Sequence, residues 1–326
     1  MVQRSRLVLP IIGVLLVTVL AGATAAAEEK AQMPERIILD TDIGDDIDDA
    51  YCLSLILSCP ELELEGVVTV YGPVQRRAQI ARKLLRVAGR DDIPVVPGKA
   101  GRGDPEAVPN QHPWAEGEKT PSGDGVAFVV HKILQNPGEI SLLAVGALTN
   151  VAAVLDADAR IAGAIKRIFI MGGSVYRGYN GSDTPAVEWN IRCDPAAART
   201  VLAKARNLYV APLDISSLAH LRAEHLDAIA ASDRPLARAM AELLPYWRGD
   251  DAQRRPCLFD PLTAALMIEA SLAKGREMRI EVTDEGMTVP AEGEPNAFVY
   301  LEPNLEPFFE FYVRRLASEP ASPRTE

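Results

Sequence analysis

Short apolar runs rich in β-branched residues alternate with longer stretches of helical spacing through most of this chain, and that alternation leaves few folds open. "RIILDT" is followed by the helical "DDAYCLSLILS", and "LELEGVVTV" by "VQRRAQIARKLLRVAG", which closes on Gly89. "IPVVPG", "ISLLAVG", "IKRIFIMGG" and "NLYVAPLD" are further strand-like runs, interleaved with the helical "GVAFVVHKILQ", "LTNVAAVLDAD" and "PAAARTVLAKA". Residues 99–122, rich in Gly, Pro and polar types, read as a long surface loop, and 174–194 as irregular. The C-terminal third reads as mainly helical, with "MRIEVT" and "NAFVYLE" as late strands. Strands separated by helices pair in parallel, because only a crossover of that length returns the chain to the same end of the sheet. The expected fold is therefore α/β: a mainly parallel open sheet with helices on both faces, as one domain over residues 28–326. Ligands in such folds sit beyond the carboxyl ends of the strands.

The first 27 residues stand apart from this pattern. Arg4 and Arg6 precede the apolar "LVLPIIGVLLVTVLAG", and Ala25-Ala26-Ala27 offers small residues before Glu28. That is the layout of a cleaved secretory signal peptide, and it predicts export to the periplasm or beyond, with no membrane attachment after cleavage. The chain carries 45 acids against 34 bases, a formal charge of −11. Such a surface argues against nucleic acid or anionic membrane as the main partner and leaves a small molecule. Cys52 and Cys59 fall two turns apart on one helix, too far for an undistorted disulfide. No C-x-x-C occurs, so buried free thiols are the expectation, although a Cys193–Cys257 pair cannot be judged from spacing.

The strongest local feature is a run of carboxylates. Asp40, Asp42, Asp45, Asp46, Asp48 and Asp49 fall within ten positions at the end of the first strand. Acids are favourable in the first turn of a helix, so capping accounts for Asp45 and Asp46. It does not account for Asp40 and Asp42, which alternate along the end of an apolar strand. A hard cation does: Ca²⁺ takes six to eight oxygen ligands, whereas Mg²⁺ demands a tighter octahedron with fewer protein groups. The spacing is not that of an EF-hand loop, so the cation must be shared with distant segments.

"IILDTDIGDDIDDA" resembles the N-terminal aspartate motif of the nucleoside hydrolase (inosine-uridine-preferring N-ribohydrolase) family, in a form two residues longer than the commoner one. "LLAVGALTNVA" at 142–152, "IFIMGGS" at 168–174, "EWNIRCDPAAA" at 188–198 and "FDPLTAAL" at 259–266 follow in family order. The resemblance covers about residues 35–316. It implies a Ca²⁺ held by Asp42, Asp49, Asp260 and the backbone carbonyl of Val145. It further implies that Asp42 is general base toward the attacking water, that Asp48, Glu188 and Asn190 contact ribose hydroxyls, and that Asn180 takes the 5′-hydroxyl. Asp40 would orient the site from behind. The implied reaction is hydrolysis of a ribonucleoside N-glycosidic bond through an oxocarbenium-like sugar, whose charge the carboxylates stabilise.

Three departures from the family pattern bear on the substrate. Phe259 stands where pyrimidine-tolerant relatives have His, and Trp189 separates Glu188 from Asn190 as in the purine-preferring branch. A purine stacked between Trp114 and Phe259, with Trp189 nearby, is therefore expected; His112 is read as a solvated loop residue rather than the leaving-group acid. Pro73 stands where relatives place Asn or Asp, which removes a ribose contact unless Gln75 replaces it. That substitution keeps two alternatives open: hydrolysis of another ribosylated metabolite, or an exported protein that binds a ribosyl ligand without cleaving it. A haloacid-dehalogenase-type phosphotransferase also begins with D-x-D but needs Thr where this chain has Gly44. Relatives are commonly oligomers, so the resemblance leaves a homo-oligomer open.

Overall fold

The computed structural model describes Met1 and residues 33–318, so the segment read as a signal peptide lies outside the described residues. Nine strands form one sheet: β1 (Glu35–Thr41), β2 (Leu62–Thr69), β3 (Val95–Pro97), β4 (Ile140–Ala144), β5 (Ile168–Met171), β6 (Leu208–Ala211), β7 (Ala273–Val282), β8 (Thr288–Ala291) and β9 (Ala297–Pro303). Their spatial order is β3-β2-β1-β4-β5-β6-β9-β7-β8. All contacts from β3 through β9 in that order are parallel, while β7 runs antiparallel to both β9 and β8.

Both faces of the sheet are buried, as the unbroken apolar runs require. Along β1, Ile37 and Leu39 pack toward the helices Asp48–Leu57, Val74–Val87 and Phe259–Ile268. Ile38 points the other way, into a second core with Val129, Ile133, Val151 and Val154 from the helices Gly125–Gln135 and Thr149–Ala157. The strand order also contains a switch. From β1 the chain builds outward through β2 and β3, then returns to the other side of β1 with β4 and continues to β5 and β6. The loops after β1 and β4 therefore diverge and leave a crevice between them, the place where open α/β sheets bind ligands.

Three expectations change. The 99–122 segment is not merely a surface loop: a 3₁₀ turn at His112–Ala115 carries Trp114 and Ala115 into the core. The region 174–194 contains the short helix Trp189–Cys193. The edge strand β8, which holds Pro290, escapes a pattern-based reading because it is only four residues long. All four cysteines are buried and free.

Candidate active site

The crevice beyond β1 and β4 opens into a cavity of about 290 Å³, near the small end of the ~300–1,000 Å³ usual for small-molecule sites. Seven carboxylates line it, those of Asp42, Asp45, Asp46, Asp48, Asp49, Glu188 and Asp260, against one cationic side chain, Arg77.

Two helix N-termini converge there. Asp48 and Asp49 open the helix Asp48–Leu57, and Asp260 lies in the first turn of Phe259–Ile268. Their unpaired N–H groups and dipoles favour the three carboxylates. Asp48, Asp49 and Asp260 each offer an oxygen within 4.8 Å of the other two, and all three are buried. Burial pushes their carboxyls well above the usual range, and mutual repulsion adds to it, chiefly from Asp46 and Asp49 on Asp48, Asp42 on Asp49, and Asp48 on Asp260. Asp42 is pushed up to about 6 by burial, with the positive charge of Arg77 opposing. A buried set of hard carboxylate oxygens under this repulsion fits a hard divalent cation. The compact trio contains Asp49 and Asp260 of the expected ligand set, with Asp48 as its third member, while Asp42 lines the same cavity.

The end of β4 completes the crevice. A Cβ at Gly146 would lie 2.8 Å from Asp42 Oδ1 and 2.9 Å from its amide nitrogen, so only glycine lets the two strand ends approach this closely. Val145 lines the cavity, and its carbonyl accepts a hydrogen bond from Asn190 Nδ2 at 2.9 Å. The same Nδ2 reaches the Met171 carbonyl at 3.1 Å. With its amide hydrogens committed to two carbonyls, Asn190 has Oδ1 left for a ligand and can serve only as an acceptor there. Glu188 caps the Trp189–Cys193 helix, accepting from Asn190 N at 2.8 Å and Ile191 N at 3.1 Å, and also from Gly173 N at 3.0 Å. Burial nevertheless raises its pKa to about 7.

Asp40 lies behind this lining. Its Oδ2 accepts from Asn150 Nδ2 at 2.8 Å, while Oδ1 is buried without a partner. Burial raises it to about 8. Asn150 Oδ1 in turn accepts from Lys99 N at 2.8 Å, so the pair joins β1 to the chain after β3.

Several expected positions are corrected. Asp45 and Asp46 are not helix caps: the N-cap is Ile47, without a side-chain cap. Asp45 pairs with Arg77 Nη2 at 2.8 Å, and Asp46 Oδ1 accepts the Ile47 N–H at 2.7 Å. Trp114 does not line the cavity. It is buried in the core, donates Nε1 to Glu242 at 2.8 Å and has Lys83 Nζ 4.2 Å from its ring centroid. Asn180 is exposed, at φ 55°, and its neighbour Tyr179 lines the cavity instead. Gln75 is exposed and outside the lining, and His112 Nε2 is engaged with Gln79 Oε1 at 2.8 Å.

Sequence reasoning missed three lining residues, Arg77, Met171 and Tyr179. Arg77 is buried on the apolar stripe it shares with Ala81 and Leu84, four and seven positions on, and a cation on that stripe was the available signal. It donates from Nε to the Tyr71 carbonyl at 2.7 Å and from Nη1 to the carbonyls of Asp42 and, at 3.1 Å, Ile43. One guanidinium thus fixes the aspartate loop from inside, while Gln111 fixes it from outside through Gly44 O at 3.0 Å and Asp46 O at 2.6 Å. Tyr179 stands edge-on to Phe259 at 6.4 Å, and its hydroxyl accepts the Trp189 N–H at 2.9 Å. The aromatic lining is therefore Tyr179, Trp189 and Phe259, with Tyr71 edge-on to Trp189 at 6.2 Å.

The comparisons agree with this architecture. The profile of the family described as inosine-uridine preferring nucleoside hydrolase matches residues 37–310. The chain is 28% identical over 279 residues to uridine nucleosidase 1 of Arabidopsis thaliana, covering 78% of this chain and 80% of that protein. It is similar in structure to the plant nucleoside hydrolase PpNRh1, with a TM-score of 0.78 at 24% identity, covering 88% of this chain and all of that one (100%). A purine-preferring ribonucleoside hydrolase from Gardnerella vaginalis gives a TM-score of 0.70 at 21% identity, covering 86% and 98%.

Proposed function

Because this chain belongs to the inosine-uridine preferring nucleoside hydrolase family, enzymes that hydrolyse the N-glycosyl bond of ribonucleosides, we propose that it does so with Ca²⁺ and with a preference for purine bases. The observation that carries this reading is one cavity with buried carboxylates at its floor and aromatic rings along its wall. The expected N-terminal signal segment supports an exported enzyme.

Asp48, Asp49, Asp260 and Asp42, with the Val145 carbonyl, would hold the cation. When bound, Ca²⁺ supplies positive charge that acidifies water and orients the sugar. Asp42 takes the proton of the attacking water, whose oxygen joins C1′ as the C–N bond breaks, and the bonding pair passes to the ring nitrogen of the base, which gains a proton on release. Asn190 accepts from a ribose hydroxyl, and Glu188 and Asp48 hold others. Positive charge develops on the sugar, and the carboxylates around it are already fixed by backbone and Arg77 contacts, so little reorganisation opposes the step. Tyr179, Trp189 and Phe259 offer the apolar area that a two-ring base covers better than a one-ring base.

The test is release of free base and ribose from a nucleoside panel, with calcium and after chelation. Chelation is expected to remove at least ~100-fold of the activity, calcium to restore it, and purine nucleosides to show the higher kcat/KM. Chelator-resistant turnover would refute the metal reading, and faster cleavage of uridine than of inosine the base reading. Phe259→Ala should raise KM for purine nucleosides about 3- to 10-fold with a smaller effect on kcat. An unchanged KM would remove Phe259 from the base site.

A further inference from the structure

We infer that Tyr71, which does not line the cavity, is a positioning residue for substrate binding: it holds the Trp189 indole in place on the aromatic wall and ties that wall to the aspartate loop. This role rests on the reading of the cavity as a ribohydrolase site and deepens it, by naming what keeps the wall aligned with the carboxylate floor.

Tyr71 is strained. It lies just beyond β2 at φ 66°, a left-handed conformation that a bulky side chain adopts only at a cost. Glycine would take the same turn freely, so a ring at this position calls for a reason outside the turn. The backbone there is fixed on three sides. Tyr71 N donates to the Lys99 carbonyl at 3.0 Å, Gly72 N donates to the Ala100 carbonyl at 2.8 Å, and the Tyr71 carbonyl accepts from Arg77 Nε at 2.7 Å. The chain that follows Ala100 closes against the ring as well: a Cβ at Gly103 would lie 3.1 Å from Tyr71 Cδ1.

Held in this way, the ring packs on Val70, Ala147 and Cys193 and meets the Trp189 indole edge-on, with 6.2 Å between centroids and 78° between planes. Such edge-to-face pairs are favourable beyond the area they bury. Trp189 is 48% exposed, and its remaining contacts restrain the indole little. Tyr179 takes its backbone N–H, and Arg192, 5.7 Å from the ring centroid, is itself an exposed side chain. An exposed ring that a ligand must first immobilise weakens binding, whereas a ring already held does not.

Arg77 extends this hold to the acids. The guanidinium whose Nε fixes the Tyr71 carbonyl also donates from Nη1 to the carbonyl of Asp42. The aspartate loop and the brace of the aromatic wall thus hang from one side chain, although Asp42 and Trp189 come from distant parts of the chain.

The experiment measures kcat and KM of the calcium-loaded protein for the nucleoside it cleaves best. Tyr71→Gly should raise KM about 3- to 10-fold and leave kcat within about twofold, because the acids are untouched. Tyr71→Asn, which also tolerates the left-handed turn, should do the same, while Tyr71→Phe keeps the ring and should stay near wild type. In a Trp189→Ala background, Tyr71→Gly should change KM by less than about twofold, since the indole it holds is gone. Wild-type KM in folded Tyr71→Gly and Tyr71→Asn would overturn the inference. So would an equal change in KM with and without Trp189, or a loss carried by kcat alone. Failure of the wild-type protein to cleave any riboside would instead bring down the assignment of the cavity, and this role of Tyr71 with it.

Discussion

Asp42→Asn should lower kcat by on the order of 10²–10⁴-fold while leaving the fold intact, because it removes a general base and keeps the shape of the side chain. The backbone of residue 42 is held by Arg77 through its carbonyl, and its side chain lies against Gly146, so an isosteric amide fits without rearrangement. The substitution also removes one negative charge from a group of mutually repelling acids: Asp42 raises the carboxyls of Asp48, Asp49 and Asp260. In the absence of calcium, the Asp42→Asn protein should therefore melt at or above the wild-type temperature. Turnover and calorimetry together check this. Near-wild-type kcat would remove Asp42 as base, and a large fall in melting temperature would recast it as a structural residue.

Arg77→Met should cost both stability and turnover. The side chain is buried and serves three carbonyls and one carboxylate. Hydrogen bonds from a charged donor contribute about 1.5–3 kcal/mol each, and the Asp45 partner is half in solvent, which discounts that contact. A net loss of about 3 kcal/mol, or roughly 6–12 °C in Tm, is expected for a domain of this size. Well below Tm, kcat should still fall at least ~10-fold, because the loop carrying Asp42 loses its inner anchor. Arg77→Lys keeps the charge but cannot span Tyr71, Asp42 and Asp45 at once, so it should recover stability better than turnover. Wild-type kcat in folded Arg77→Met would show that the guanidinium supports the fold alone.

Arg77 also illustrates what was legible in the sequence. The alternation of strand and helix set the sheet, and β1, β4 and β5 carry their site residues at the expected ends because parallel strands align those ends by construction. Asp260 meets Asp48 and Asp49 although it lies far from them in sequence, and motif order alone pointed to it. Side chains without a partner nearby in sequence were harder. Trp114 sits in a Gly- and Pro-rich loop that reads as surface, yet Ala115 and Gln111 beside it are fully buried, and only tertiary packing turns that segment inward. Asp45 and Asp46 look like helix caps because local electrostatics favours acids there, but a distant guanidinium captures one of them. Tyr179 follows from the length of an irregular loop, a quantity that hydrophobic periodicity does not encode.

The cavity is closed by pieces from both ends of the chain: the loop after β1, the turn after β4, the Trp189–Cys193 helix and the start of Phe259–Ile268. No contiguous fragment holds the set, so an ion seated there acts as a clasp on the entire domain. Any excursion that lifts one of these segments forfeits the whole free energy of ion binding, whichever segment moves first. On the proposed reading of an exported, calcium-binding enzyme, resistance to proteases would track the calcium of the surroundings, and the protein would persist where calcium is plentiful and be cleared where it is scarce.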